Sequence, residues 1–382
     1  MLLYKERKWF KKLTNDPHSG FQSDYFSRNQ IITKIAAGII RCCYINFKSR
    51  NIIKKNIFVC MGNNQIIRKV VDCDKHNYLQ IERSYRALYF KYESCLELES
   101  IYYLINYSNL FSKATMKFLL KIGFIWLDFN IDVLKKNTYV ISQDFSGASA
   151  LIVSLSEIYN IKVVGLQHGL MSYTHLKNGY IYPNIRTKLE LAYNQKYASL
   201  LTKNKKNGIA INFGPLISRN KVEKSKFNIK KVYFISSMDL SDLEKIKIIV
   251  KIENYLKSKK IKLIVRPHPQ EMKNIYNGVI DTSDVNLIYT NKIDECLFIG
   301  YYSTLLYNLG YMGYKTIWIN NLNIETTEDI KISNELVNSY IVKDYLIEEE
   351  LNNFIGQEMN DQGSRNAADE LKIFFDKLRN NE

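Results

Sequence analysis

From residue 138 onward, short β-branched runs alternate with helical stretches, and each run ends in small or polar residues. That rhythm belongs to parallel βαβ units, because a parallel strand pair needs a crossover long enough to hold a helix. Tyr139–Ser142 reads as a strand, Ala148–Tyr159 as a helix, and Ile161–Leu166 as a strand stopping at Gln167-His168-Gly169. A second series places strands at Lys231–Ile235, Ile261–Val265, Glu295–Ile299 and Thr316–Ile319, and helices at Ser241–Ser258 and Leu305–Gly313. The polar stretch Thr202–Lys230 separates the two series. Upstream, Asn56–Met61 reads as a strand and Leu96–Asp128 as helical; downstream, Ala367–Leu378 has the spacing of a last helix.

A length of 382 residues is enough for about two domains. The expected architecture is α/β, two doubly wound Rossmann-like domains facing across a cleft, with ligands at the C-terminal ends of the strands. The expected divisions are a basic helical extension at 1–50, domains at 51–205 and 206–360, and a C-terminal helix at 361–382.

The net charge is +16, and residues 1–55 hold twelve Lys/Arg against three Asp/Glu, a net +9. Part of the basicity matches the crowding of Lys, Ile, Asn and Tyr that an AT-rich gene encodes. Its clustering at one end fits contact with an anionic membrane surface better than a nucleic-acid groove, and no nucleic-acid module is recognisable. Met1–Phe10 mixes charges into its apolar residues, unlike a secretory signal. Ile31–Ile45 is interrupted by Lys34 and Arg41 and is too short to cross a bilayer, so it is either a packed amphipathic helix or one lying on an anionic leaflet. A cytoplasmic protein, peripheral at most, is the expectation. The six cysteines lack C-x-x-C spacing and read as apolar fillers in a reducing compartment.

Three clusters carry chemistry. Arg266-Pro267-His268-Pro269-Gln270-Glu271 follows a buried strand, and its two prolines present the imidazole from a stiff turn. Arg266 and His268 suit a phosphate and Glu271 suits ribose hydroxyls, while a structural turn with a capping histidine uses the same residues. Tyr301-Tyr302-Ser303-Thr304 precedes a helix, where hydroxyls and free amides either bind an anion or merely cap. Gln167-His168-Gly169 puts an ionisable ring at a strand end, and Asp144 closes the preceding strand, as a base or as a helix cap. Ser236 and Ser237 end a strand of the second series on the same rim. Asp72-Cys73-Asp74 is a literal D-x-D, a triplet that arises often by chance. P-loop, dinucleotide-binding G-x-G-x-x-G and G-x-S-x-G patterns are absent from the sequence.

Over residues 138–320, the ordered set Gln167-His168-Gly169, Arg266-Pro267-His268-Pro269 and Ser303-Thr304 resembles bacterial surface-polysaccharide glycosyltransferases of the GT-B fold. These include capsule, sialyl- and Kdo-transferase relatives and the glycerophosphotransferases of teichoic acid synthesis. The resemblance implies that His268, Pro269, Ser303 and Thr304 bind the phosphate of a CMP-linked donor; Arg266 would join them there, Glu271 would take the ribose, and Ser236 and Ser237 are counted with the nucleotide-binding residues. His168 or Asp144 would be the base, with Gln167 and Gly169 on the acceptor side. The family's pair of carboxylates followed by glycine is replaced here by Gln143-Asp144-Phe145-Ser146-Gly147, with one carboxylate. The implied reaction is metal-independent and inverting, needs no cofactor, and has a nucleotide sugar and an oligosaccharide or glycolipid acceptor as partners. A UDP-sugar 2-epimerase-like isomerase and a non-catalytic envelope scaffold are the rival readings.

Overall fold

The structure, a computed structural model, describes residues 28–48, 58–61, 78–80, 95–106, 110–141, 147–167, 169–170, 187–205, 208–219, 221–222, 228–236, 241–268, 295–320, 331–343, 347–354, 358, 360 and 362–380. The chain divides into two compact units, one of residues 1–168 and 179–214, the other of 169–178 and 215–382.

In the first unit, helix α1 (Arg28–Lys48) is followed by strands β1 (Phe58–Met61) and β2 (Tyr78–Gln80), and then by helices α2 (Cys95–Asn106) and α3 (Lys113–Lys136). Next come β3 (Thr138–Ile141), α4 (Gly147–Tyr159), β4 (Lys162–Leu166), β5 (Leu189–Ala192), α5 (Gln195–Asn204) and β6 (Ile209–Asn212). The six strands are all parallel in the order β2-β1-β3-β4-β5-β6. Ile31, Ile35, Ile39 and Cys42 recur along one face of α1 and share a core with Ile101 of α2 and Trp126 of α3. Beside that core, Lys34 pairs with Glu99 at 2.7 Å. Helix α1 is built into the first unit, so of the two readings of 31–45 the packed helix is the one found. The helical stretch read as 96–128 is two helices, because the Ser112 hydroxyl accepts the Thr115 N–H at 3.2 Å and caps a new start at Lys113.

Helix α5 closes the end of this sheet. The Thr202 hydroxyl accepts the Ala210 N–H at 2.9 Å, which blunts the outer edge of β6. At the end of α5, the Lys205 ammonium lies 3.1 Å from Glu190 and donates to the Thr187 carbonyl at 2.7 Å, with both charged side chains almost wholly inaccessible.

The second unit runs β7 (Lys231–Ile235), α6 (Asp242–Ser258), β8 (Lys262–Arg266), β9 (Cys296–Gly300), α7 (Thr304–Tyr311), β10 (Lys315–Asn320), β11 (Ser339–Lys343), α8 (Ile347–Phe354) and α9 (Ala367–Asn380). Its five parallel strands lie in the order β11-β10-β9-β7-β8. A capping box between Ser241 and Glu244 starts α6, and the Ser241 hydrogen bonds hold the Glu244 carboxyl below the usual carboxylate range. Phe234, Val265, Ile299 and Ile317 form the core with Ile347 and Leu351 of α8.

The C-terminal helix belongs to this unit. Arg219 pairs antiparallel with Arg365 and Val222 with Gln362, while the Arg365 guanidinium donates to the Pro215 carbonyl at 2.7 Å and the Tyr311 hydroxyl at 2.8 Å. Ala367 and Leu371 are fully buried. The division between the units falls after Gly214, where β6 has completed the first sheet. No helix among the described residues is long and apolar enough to cross a membrane.

Candidate functional site

In the second unit, β8 lies on one side of β7 and β9, β10 and β11 on the other. A doubly wound sheet of this order binds ligands outside the strand ends where the winding reverses, here the C-terminal ends of β7 and β9. Ile235, the last residue of β7, pairs with both Arg266 and Gly300. Gly300 is required by this close approach, since a Cβ there would sit 2.6 Å from the Ile235 carbonyl oxygen. Buried Tyr301, edge-on to Phe234, and Tyr302 beside Trp318 then lead the chain into α7.

Ser303 is the N-cap of α7, with extended φ −152° and ψ 134°, yet its side chain makes no capping hydrogen bond. The first amides of α7 are therefore free of side-chain caps at the end where the helix dipole is positive. Thr304 is differently engaged. Its Oγ1 accepts the Leu170 N–H at 3.0 Å, which leaves the hydroxyl proton to donate elsewhere. A Cβ on Gly169 would meet that Oγ1 at 2.8 Å, so only glycine lets the chain pass so close.

Gly169 and Leu170 are part of the second unit, beside the start of α7. Gln167 is buried, and its Oε1 accepts the Tyr193 N–H at 2.8 Å, tying the end of β4 to the β5–α5 turn.

On the other side of β7, Arg266 ends β8 half-buried and donates to the carbonyl of buried Pro267, and half-buried His268 follows. Ser236 is buried, and its N–H donates to the Arg266 carbonyl at 3.0 Å, extending the pairing one residue beyond the strands. The ends of β8 and β9 are two strand spacings apart, roughly 10 Å. His168, Asp144, Ser237, Pro269 and Glu271 lie outside the described residues, as does Asp72-Cys73-Asp74. Asp144 and His168 follow, in sequence, the neighbouring strands β3 and β4. Among the described residues, no group of three His, Cys, Asp or Glu stands in a metal-holding arrangement.

One residue was not singled out from the sequence. Asn320, last in β10, is buried and its Oδ1 makes no hydrogen bond. Its only sequence signal is an amide at the C-terminal end of an otherwise apolar strand.

No protein-family model matches the chain, and no curated protein matches it in sequence. Two solved structures are similar along its length. UDP-N-acetylglucosamine 2-epimerase from Rickettsia bellii is 11% identical, with a TM-score of 0.51 over 86% of this chain and 96% of that one. The S. aureus MnaA-UDP co-structure is 12% identical, with a TM-score of 0.51 over 86% and 97%. The fold is of the GT-B type. Two Rossmann-like units with parallel sheets agree with the class expected from sequence, and at these identities the likeness speaks for the fold alone.

Proposed function

We propose that the protein is a glycosyltransferase that binds a nucleotide-activated sugar at the C-terminal edge of the second sheet and passes the sugar to an acceptor hydroxyl. The observation that carries this reading is Ser303, a helix-capping residue at the switch point whose hydroxyl caps nothing. In the proposed complex the donor phosphate takes hydrogen bonds from the first amides of α7, from Ser303 and from the Thr304 proton. Arg266 and His268 approach its negative charge from beyond β7. Asn320 and Ser236 offer polar groups to the nucleoside, and Glu271 and Ser237 are assigned to it with them.

The acceptor oxygen attacks the anomeric carbon, the bond to the phosphate oxygen breaks, and the nucleotide leaves with the electron pair. His168 or Asp144 takes the acceptor proton, and the configuration inverts. Helix amides and basic side chains stabilise the leaving group, so the reaction is proposed to need no metal and to persist in EDTA. From the family resemblance the donor is CMP-linked, of sialic acid or Kdo type; in the glycerophosphotransferase alternative the donor is CDP-linked, the acceptor oxygen attacks the β-phosphorus instead, and CMP leaves. The acceptor is an oligosaccharide or glycolipid.

The second reading, a UDP-sugar 2-epimerase, is favoured by the names of the two similar structures, one a UDP-N-acetylglucosamine 2-epimerase and one bound to UDP. An epimerase turns over its nucleotide sugar without an acceptor. The test is a thermal-shift series with CMP, CDP, UDP and GDP, followed by product analysis with and without a glycan acceptor. The expected result is a raised midpoint with a cytidine nucleotide and CMP release that accelerates with acceptor and falls in His268→Ala. Stabilisation by UDP alone with acceptor-independent epimerisation would establish the second reading. No response to any nucleotide would leave a non-catalytic scaffold.

A further inference from the structure

Helix α3 is apolar on two sides. One side carries buried Trp126, Leu127 and Leu134 into the core of the first unit. On the other, Phe118 and Phe129 are each 64% exposed and Ile125 is 40% exposed. With exposed Lys121 between them, these residues recur at helical spacing and form one stripe, about 16 Å from Phe118 to Phe129. Single exposed apolar residues are ordinary, but two phenylalanines and an isoleucine in line on one helix are, among the described residues, an unpartnered face.

The charges around the stripe state what covers it. Lys113 and Lys117 flank its N-terminal end and Lys135 and Lys136 its C-terminal end, all exposed. The one exposed carboxylate of α3, Asp132, is within 3.6 Å of Lys135. Five lysines framing three apolar side chains disfavour a second copy of this chain, whose matching lysines would face them. They favour a surface that is apolar within and negative at its rim, and the excess of basic residues over the whole chain acts in the same direction. We infer that the outer face of α3 docks the first unit on an anionic lipid surface, with Phe118, Ile125 and Phe129 at the acyl boundary and the lysines among the headgroups. The stretch Ile31–Ile45, the candidate the sequence offers for this role, instead turns its main apolar face into the core.

The inference is independent of the nucleotide-sugar reading. It is tested by co-sedimentation of the purified full chain with vesicles of pure phosphatidylcholine and of phosphatidylcholine containing phosphatidylglycerol. Sedimentation is expected only with the anionic vesicles and is expected to fade at high salt. Lys117→Gln with Lys121→Gln should weaken the partition roughly 30-fold, and Phe118→Ser with Phe129→Ser about tenfold or more. These side chains are exposed, so the thermal midpoint should stay at the wild-type value and report that the variants are folded. Failure of the wild-type chain to sediment with anionic vesicles overturns the inference, as does equal binding by the folded Phe118→Ser/Phe129→Ser variant. A wild-type dimer in solution that the same double variant dissociates, without any vesicle binding, assigns the face to self-association and overturns it too.

Discussion

The β5–α5 turn of the first unit and the β9–α7 turn of the second are the same device, a buried parallel strand entering a helix through a polar cap, but they spend their polar groups differently. At β5–α5, Asn194 accepts the Tyr197 N–H at 2.8 Å, Gln167 accepts the Tyr193 N–H, and Lys205 and Glu190 neutralise each other beneath. At β9–α7, Ser303 caps nothing and Thr304 uses only its acceptor side. The β5–α5 turn thus engages most of its polar groups internally, although the buried Asn194 Nδ2 has no partner among the described residues, while the half-buried Ser303 and Thr304 keep donors that the proposed nucleotide would engage. The contrast separates stability from activity and is open to direct attack.

The largest effect is expected at the closed turn. Lys205→Met leaves the Glu190 carboxylate buried without its cation and should cost about 3–5 kcal/mol in denaturant unfolding. A loss under about 1 kcal/mol would mean that the network is not what closes the turn. Next, Ser303→Ala should lower the transfer rate by about 100- to 1000-fold, as loss of a donor to a developing oxyanion does, with the midpoint of unfolding hardly moved. Unchanged nucleotide release in that variant would make the two turns equivalent. Asn194→Ala, the matching cap on the closed side, should do the reverse, costing about 1 kcal/mol of stability while leaving turnover intact.

A further effect concerns pH. Burial lowers the pKa of Lys315, at the start of β10, from 10.5 to about 8. The folded state thus gives up this proton more readily than the unfolded chain, so the penalty is fully present below pH 8 and disappears as the pH approaches 10.5. Lys315→Met removes that dependence. The midpoint of the variant minus that of the wild type should fall steadily across this window, and a constant difference would show that the lysine is not desolvated.

Much of the second unit was legible in the sequence because its strands are continuous apolar runs bounded by polar turns. Lys231–Ile235 is found as expected, and α6 begins one residue after Ser241, which serves as its cap. The strands β2, β5, β6 and β11 and helices α5 and α8 were not anticipated. β5 and β6 are four residues long, and β6 is largely exposed, so neither carries a run that distinguishes it from the polar stretch around it. The Ser303-Thr304 pair was visible as a helix start, but the same residues write a cap and an anion site, and only the coordinates tell which hydroxyl is used internally. The sequence likewise presented Gln167 and Gly169 as one motif. Folding gives them different partners, Gln167 a buried hydrogen bond of the first unit and Gly169 a close approach to Thr304 of the second.

The sequence by itself determined the class: alternating β-branched and helical periods permit little other than parallel, doubly wound sheets. It also determined which strand ends carry ionisable and hydroxylic residues. The order of the strands, and with it the position of the switch point, was decided by tertiary structure, as was the bond from Leu170 to Thr304 across 134 residues of chain. The division follows from range: periodicity records the face that each element buries, whereas strand neighbours and hydrogen bonds between distant segments depend on how those buried faces are apportioned once the chain has closed on itself.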